Sequence, residues 1–218
     1  MGLAALMLSI GSAAYTQDTL TLSVGTGAYG KYMWTHQTII GQGDPLLDLF
    51  DDIQTNKTMS VGSPITIRAE LFRYLGVDTS AYYLRNKFYP GKSANNRIRG
   101  VFSVYGQIPI EITNSITILP LLGVGYDMLF YSWSKTGSST RKNLKNLNDD
   151  LLLKPGVGLK VSLTDFLRLD ARLIYDVMLF NKSVSDTAKN YKSNGNRYFV
   201  LQHAPSLFVG VGYEFLKI

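Results

Sequence analysis

The sequence predicts an all-β protein, a membrane-spanning antiparallel up-and-down β-barrel of eight strands, and three observations lead there. Long segments alternate apolar with polar or small residues at a period of two, the signature of strands with one apolar face. The links between them are alternately short and long, the layout of a barrel with tight turns at one end and loops at the other. The two faces also differ in kind, one nearly free of charge and the other mixing opposite charges with glycine. No later segment stays apolar for the ~20 residues that a spanning helix needs, and 218 residues suit one domain.

In chain order, residues 1–16 read as a residual signal peptide, with an apolar run Leu3–Ile10 followed by Gly11, Ser12, Ala13 and Ala14. Cleavage is expected after Ala14 or Thr16, so that the mature chain starts near Gln17 and residues 17–218 form the barrel domain. Strands are expected at about 19–34, 59–74, 78–89, 99–112, 116–132, 151–163, 166–180 and 198–215. Short links fall at Gly76–Asp78, Thr113–Ser115 and Thr164–Asp165, and long ones at Thr35–Thr58, Pro90–Ile98, Ser134–Asp150 and Asn181–Arg197. An even strand count puts both termini on the short-turn side.

The face each strand turns inward follows from composition. A soluble barrel buries its apolar face and solvates the polar one, but the polar face here interleaves Lys154, Asp176 and other charges with Gly156, Gly158, Gly210 and Gly212. Glycines weaken an exposed strand, whereas in a narrow lumen they make room for long side chains that pair. The short-turn half of the lumen is therefore expected to hold Arg68, Glu70, Glu111, Lys160, Arg168, Asp170, Arg172 and Glu214, four cations against four anions that block water. Toward the long loops the inward positions turn apolar. Leu129, Tyr131, Ile174, Met178 and Phe180 are the candidate lining for a small hydrophobic or amphiphilic ligand, with Asp127 and Asp176 to orient a polar head.

Aromatic residues gather at the strand ends, as in the girdles of membrane barrels. Tyr32, Trp34, Phe88, Phe130, Tyr131, Trp133, Phe180, Tyr198 and Phe199 lie toward the long loops. Phe72, Tyr74, Phe166, Tyr213 and Phe215 lie toward the short turns.

With these features the chain resembles the small outer-membrane barrels of the OmpA, OmpX and OmpW type, over nearly all of Gln17–Phe215. Its last strand, with Gly210, Tyr213 and Phe215, looks like the C-terminal signal read by the barrel-assembly machinery. It departs from that pattern in ending Leu216-Lys217-Ile218 and in having Phe208 where a polar residue is usual. Pro120-Leu121-Leu122-Gly123-Val124-Gly125 and Lys154-Pro155-Gly156-Val157-Gly158 are similar to strand openings of OmpW-like barrels. The resemblance implies export to the outer membrane, contact with its lipid and with the assembly machinery, a monomer, and passage or binding of small hydrophobic solutes.

Other functions are poorly served by the composition. With no cysteine, disulfides, thiolate metal sites, thiol nucleophiles and lipidated cysteine are excluded. The net charge of +6 comes largely from polar stretches, Arg85–Arg97, Lys135–Lys145 and Lys182–Arg197, with no nucleic-acid-binding motif, so the basic loops suit an anionic surface partner rather than nucleic acid. Catalysis is not expected: there are two histidines, and His203 and Ser206 have opposite parity on one strand. In the first long loop, Asp44-Pro45 starts a short amphipathic helix reaching Ile53. Its Asp48, Asp51 and Asp52 lack calcium-loop spacing, so neither metal nor cofactor is expected. Two roles remain, solute binding in the upper lumen and a structural or surface-recognition barrel acting through its loops.

Overall fold

A computed structural model describes residues 19–40, 53–89, 94–134, 137–140, 149–194 and 197–218. Residues 1–16, the first-loop helix over Asp44–Asp52 and most of the basic stretch Lys135–Lys145 lie outside them. The strands are β1 (Leu20–Ile40), β2 (Gln54–Leu71), β3 (Leu75–Tyr89), β4 (Ala94–Gln107), β5 (Ile110–Thr113), β6 (Ile116–Ser134), β7 (Gly137–Thr140), β8 (Asp150–Ser162), β9 (Leu167–Asn181) and β10 (Arg197–Lys217), with helix α1 (Lys182–Ser193) before β10.

Eight of these strands close a ring in the order β1-β2-β3-β4-β6-β8-β9-β10, each antiparallel to its neighbours. The first and last meet along the seam, where Leu20 N–H donates to the Ile218 carbonyl at 3.1 Å. Closure leaves no unpaired edge, which is what a β-structure needs in a medium without water. The two short strands are appendages on β6, β5 at the short-turn end and β7 at the loop end.

The molecule is apolar outside and charged inside. Ile65, Ile67, Leu122, Leu173, Leu207 and Val209 project outward and are exposed, while Arg68, Glu70, Arg168, Asp170, Arg172, Asp176 and Glu214 are buried in the lumen. A water-soluble barrel of the opposite polarity is excluded by this arrangement. Phe72, Phe166, Tyr213 and Phe215 are exposed at the short-turn end, and Tyr83, Tyr131 and Trp133 form an outward cluster near the loops, with ring centroids 5.8 and 5.1 Å from Trp133. Phe88 is not part of that girdle, because it faces inward beneath the Arg97 guanidinium.

Local features differ from the sequence expectation in three places. The link expected at Gly76–Asp78 lies earlier, as a turn over Leu71–Tyr74 in which Phe72 and Arg73 adopt positive φ of 50° and 63°. Gly76 is a strand residue paired with Glu70, and the ring of Tyr105 occupies the space where its Cβ would be. Second, β1 and β2 run on to Ile40 and back from Gln54, so the barrel wall continues where sequence alternation fades. Third, Asn181–Arg197 contains α1, capped by Asn181, whose side-chain oxygen accepts from the Val184 N–H.

Phe208, the departure from the usual last-strand pattern, has a structural reason. It points into the lumen and its ring lies against Gly27 and Gly210, which face each other across the β1–β10 seam. The glycine pair makes the hollow that an inward aromatic requires. Tyr213 and Phe215, the other residues of the C-terminal signal, are exposed on the outer face.

Candidate functional site: a charged floor beneath a polar chamber

The inward residues of β2, β3, β8, β9 and β10 meet in one layer near the short turns. Arg68 Nε donates to Asp78 Oδ1 at 2.7 Å and its Nη1 lies 3.4 Å from Asp170 Oδ2. Arg172 Nη1 reaches Asp78 Oδ2 at 3.2 Å, with its guanidinium over the Tyr105 ring. Arg168 donates to Asp170 at 2.9 Å, to Glu214, and to Ser23 Oγ at 2.8 Å. Lys160 bridges Glu70 at 3.2 Å and Glu214 at 3.0 Å. Four cations thus interlock with Glu70, Asp78, Asp170 and Glu214. Such a layer is costly to desolvate and holds only because nearly every charge has several partners.

The layer contains seven of the eight residues named from sequence. Glu111 is the exception and a correction: its side chain is 56% exposed and pairs with Arg73 at the outer short-turn end. Alternation seemed to carry through Ile108, Ile110 and Ile112, but β4 ends at Gln107, next to Pro109, which has no N–H for a ladder. Asp78 takes its place. It opens the strand expected at 78–89, but the link expected at Gly76–Asp78 hid its inward role.

Above the floor lies a second tier. Asp176 is held between Lys31 at 2.7 Å and Lys154 at 3.1 Å. Arg99 bonds Asp127 at 2.6 Å and Asp150 at 3.3 Å, and Asn181 donates to Asp150 at 2.5 Å. Asp127 and Asp176 are therefore engaged by protein cations. A cavity of about 60 Å³ lies beside the tiers, touching Tyr29, Tyr82, Ile174 and Phe208. A larger one of about 390 Å³ extends toward the long loops, lined by Met33, Asn56, Thr58, Ser60, Leu84, Asn86, Phe88, Arg97 and Gln202 among others.

The lining expected from sequence is largely elsewhere. Ile174 borders the small cavity; Leu129 is buried and Met178 half-buried, and neither lines the larger one. Tyr131 and Phe180 are corrections, each turned outward by a bulge. Between Leu129 and Tyr131 the register with β4 skips Phe130, so Tyr131 pairs with outward Ile98. Between Met178 and Phe180 the register with β8 skips Leu179, so Phe180 pairs with Leu151 and is 50% exposed. One extra residue reverses every later side chain. The chamber is consequently mixed, its polar side chains facing an apolar patch of Met33, Leu84, Phe88 and Val101.

The two histidines, on β1 and β10, lie on the outer face near the loops. His36 Nε2 and His203 Nε2 are 3.1 Å apart, His36 Nδ1 is 3.0 Å from Thr55 Oγ1, and His203 Nδ1 is 2.6 Å from the Tyr175 hydroxyl. Ser206, on the opposite face, donates to the Ile174 carbonyl at 3.2 Å. Among the described residues no group of three or more His, Asp or Glu is placed to hold a metal ion.

Sealed backbone, lipid-compatible exterior and charged interior fix the structural class. The chain is a membrane-spanning β-barrel. No family model and no curated protein matches it. Among solved structures it is similar to the outer membrane protein OprG from Pseudomonas aeruginosa, at 13% identity and TM-score 0.48, covering 91% of this chain and 97% of that one. Neisserial surface protein A is similar at 14% identity and TM-score 0.44, covering 88% of this chain and 99% of the other. The attachment invasion locus protein Ail of Yersinia pestis follows at 16% and 0.36, covering 88% and 98%. The likeness is one of fold.

Proposed function

We propose that this chain is an outer-membrane barrel that does not conduct, and that it captures a small polar or amphiphilic solute in the upper lumen. One observation carries the reading: the interlocked charged floor spans the lumen, while a chamber of about 390 Å³ lies above it. Eight strands leave an interior that side chains fill, so a water path through this layer requires ion pairs to break. The chamber is within the size range of small-molecule sites. Of the hydrophobic or amphiphilic ligands that the sequence suggested, its mixed wall favours one that carries a hydrogen-bonding or charged group.

The test is reconstitution into planar bilayers, with insertion verified by the mobility shift of the folded barrel on unheated gels. Inserted protein is expected to give no large, stable ohmic steps. Conductance of general-porin size overturns the closed reading.

A further inference from the structure

Arg97 differs from the other inward cations of the barrel. Lys31, Arg68, Arg99, Lys154, Lys160, Arg168 and Arg172 each contact a carboxylate within ion-pairing distance. Arg97 lines the large chamber, and among the described residues no carboxylate pairs with it. Its Nε is buried without a hydrogen-bond partner, and its guanidinium rests over the Phe88 ring at 5.6 Å. The nearby Asp127 and Asp150 are already taken by Arg99.

A buried donor without an acceptor is costly, and a guanidinium fork matches the two oxygens of a carboxylate. The rest of the wall narrows the class. Its charged residues are Lys31, Arg97, Arg99, Asp127 and Asp150, and with the Asp176 and Lys154 that Lys31 is tied to, four cations stand against three anions, an excess of one positive charge that a monoanion neutralises. Asn56, Thr58 and Asn86 offer further polar groups, and Met33, Leu84 and Phe88 an apolar patch.

We propose that the upper lumen is a binding site for small monocarboxylates with a short apolar body, anchored by Arg97. The proposal rests on the reading of the chamber as a capture site and adds the chemical class of the solute. Arg97 grips the carboxylate and Phe88 holds the guanidinium from behind, while the apolar patch receives the alkyl end. Asp127 and Asp150 disfavour a second negative charge, which sets a monocarboxylate apart from the phosphate dianion.

The full chain in lipid nanodiscs is titrated calorimetrically with hexanoate, with 1-hexanol and with inorganic phosphate. Hexanoate is expected to bind saturably, hexanol and phosphate not. Arg97→Gln should weaken hexanoate by about tenfold or more, and Arg97→Lys should retain part of the binding. Folding of each variant is established beforehand by its unheated-gel mobility. Equal hexanoate affinity in the wild type and a folded Arg97→Gln variant overturns the proposal, as does absence of saturable binding or preference for phosphate. Bilayer conductance is recorded on the same preparation. Porin-sized steps alongside Arg97-dependent binding would sink the closed-barrel reading and leave the carboxylate site standing.

Discussion

Arg68 and Asp78 face each other as a directly paired couple on β2 and β3, and Arg68 Nε donates to Asp78 Oδ1 at 2.7 Å. Asp78 also receives Arg172 and the Tyr105 hydroxyl at 2.9 Å, so one carboxylate satisfies two cations. Removing it leaves Arg172 without its carboxylate and takes from Arg68 its shortest ion pair, leaving Asp170 at 3.4 Å. Asp78→Ala is expected to lower stability by about 3–5 kcal/mol, the cost of breaking a buried pair from one side. Glu111→Ala, whose exposed partner is Arg73, should change it by less than about 1 kcal/mol. Urea unfolding in lipid vesicles measures both. Equal effects would mean that Asp78 is not a member of the floor.

The turn beside this pair stores backbone strain. Phe72 and Arg73 have φ of 50° and 63°, and the Tyr74 N–H closes the turn on the Leu71 carbonyl at 3.1 Å. Left-handed backbone costs a non-glycine residue about 1–2 kcal/mol. Arg73→Gly relieves one such residue and loses an exposed ion pair worth about 0–1 kcal/mol. A net gain of about 1 kcal/mol is expected in the same unfolding assay. Glu111→Gln removes the ion pair alone and supplies its value; a loss in Arg73→Gly larger than that value contradicts the strain argument.

The two register shifts give a prediction of orientation. The protein has no cysteine, so single substitutions Tyr131→Cys, Phe180→Cys and Leu129→Cys can carry a fluorescent label. Labels at Tyr131 and Phe180 should be quenched by brominated lipid, and one at Leu129, which is 1% exposed, should be protected. Protection of Tyr131 and Phe180 would restore the uninterrupted alternation.

Those same residues show where the sequence was legible. Each of the eight expected strands overlaps one strand of the ring, because lipid outside and packed charge inside impose opposite demands on alternate residues. Arg68, Glu70, Lys160, Arg168, Asp170, Arg172 and Glu214 were found by parity alone, since the register shift of the β1–β10 seam, which skips Phe215, falls beyond Glu214. Toward the loops parity failed. A bulge leaves no mark in composition, so Tyr131 and Phe180 were counted inward. The chamber's own residues, Asn56, Asn86 and Arg97, escaped because two fall in expected loops and none is apolar. Where the wall extends toward the loops, outward positions such as His36 and Thr55 are polar, and alternation vanishes although the hydrogen-bonded ladder continues.

Helix α1 was hidden by the same polar composition, yet its anchor can be tested. Asn181 uses both ends of its amide: the oxygen accepts from the Val184 N–H at 2.9 Å, and the nitrogen donates to Asp150. The helix start is thereby tied to the second charged tier, since Asp150 also pairs with Arg99. Asn181→Ala removes the cap and the tie together, and loss of an N-cap costs about 1 kcal/mol. Amide exchange across the helix from Val184 to Ser193 should then speed up by about fivefold, with β9 unchanged. Asn181→Asp keeps an acceptor for the Val184 N–H but sets a second carboxylate against Asp150. At neutral pH it should therefore preserve helix protection while loosening the Arg99 tier, and lowering the pH should relieve the repulsion. Unchanged exchange in Asn181→Ala would show that α1 is held instead by the stacking of Tyr191 on Tyr198, whose rings lie 5.2 Å apart.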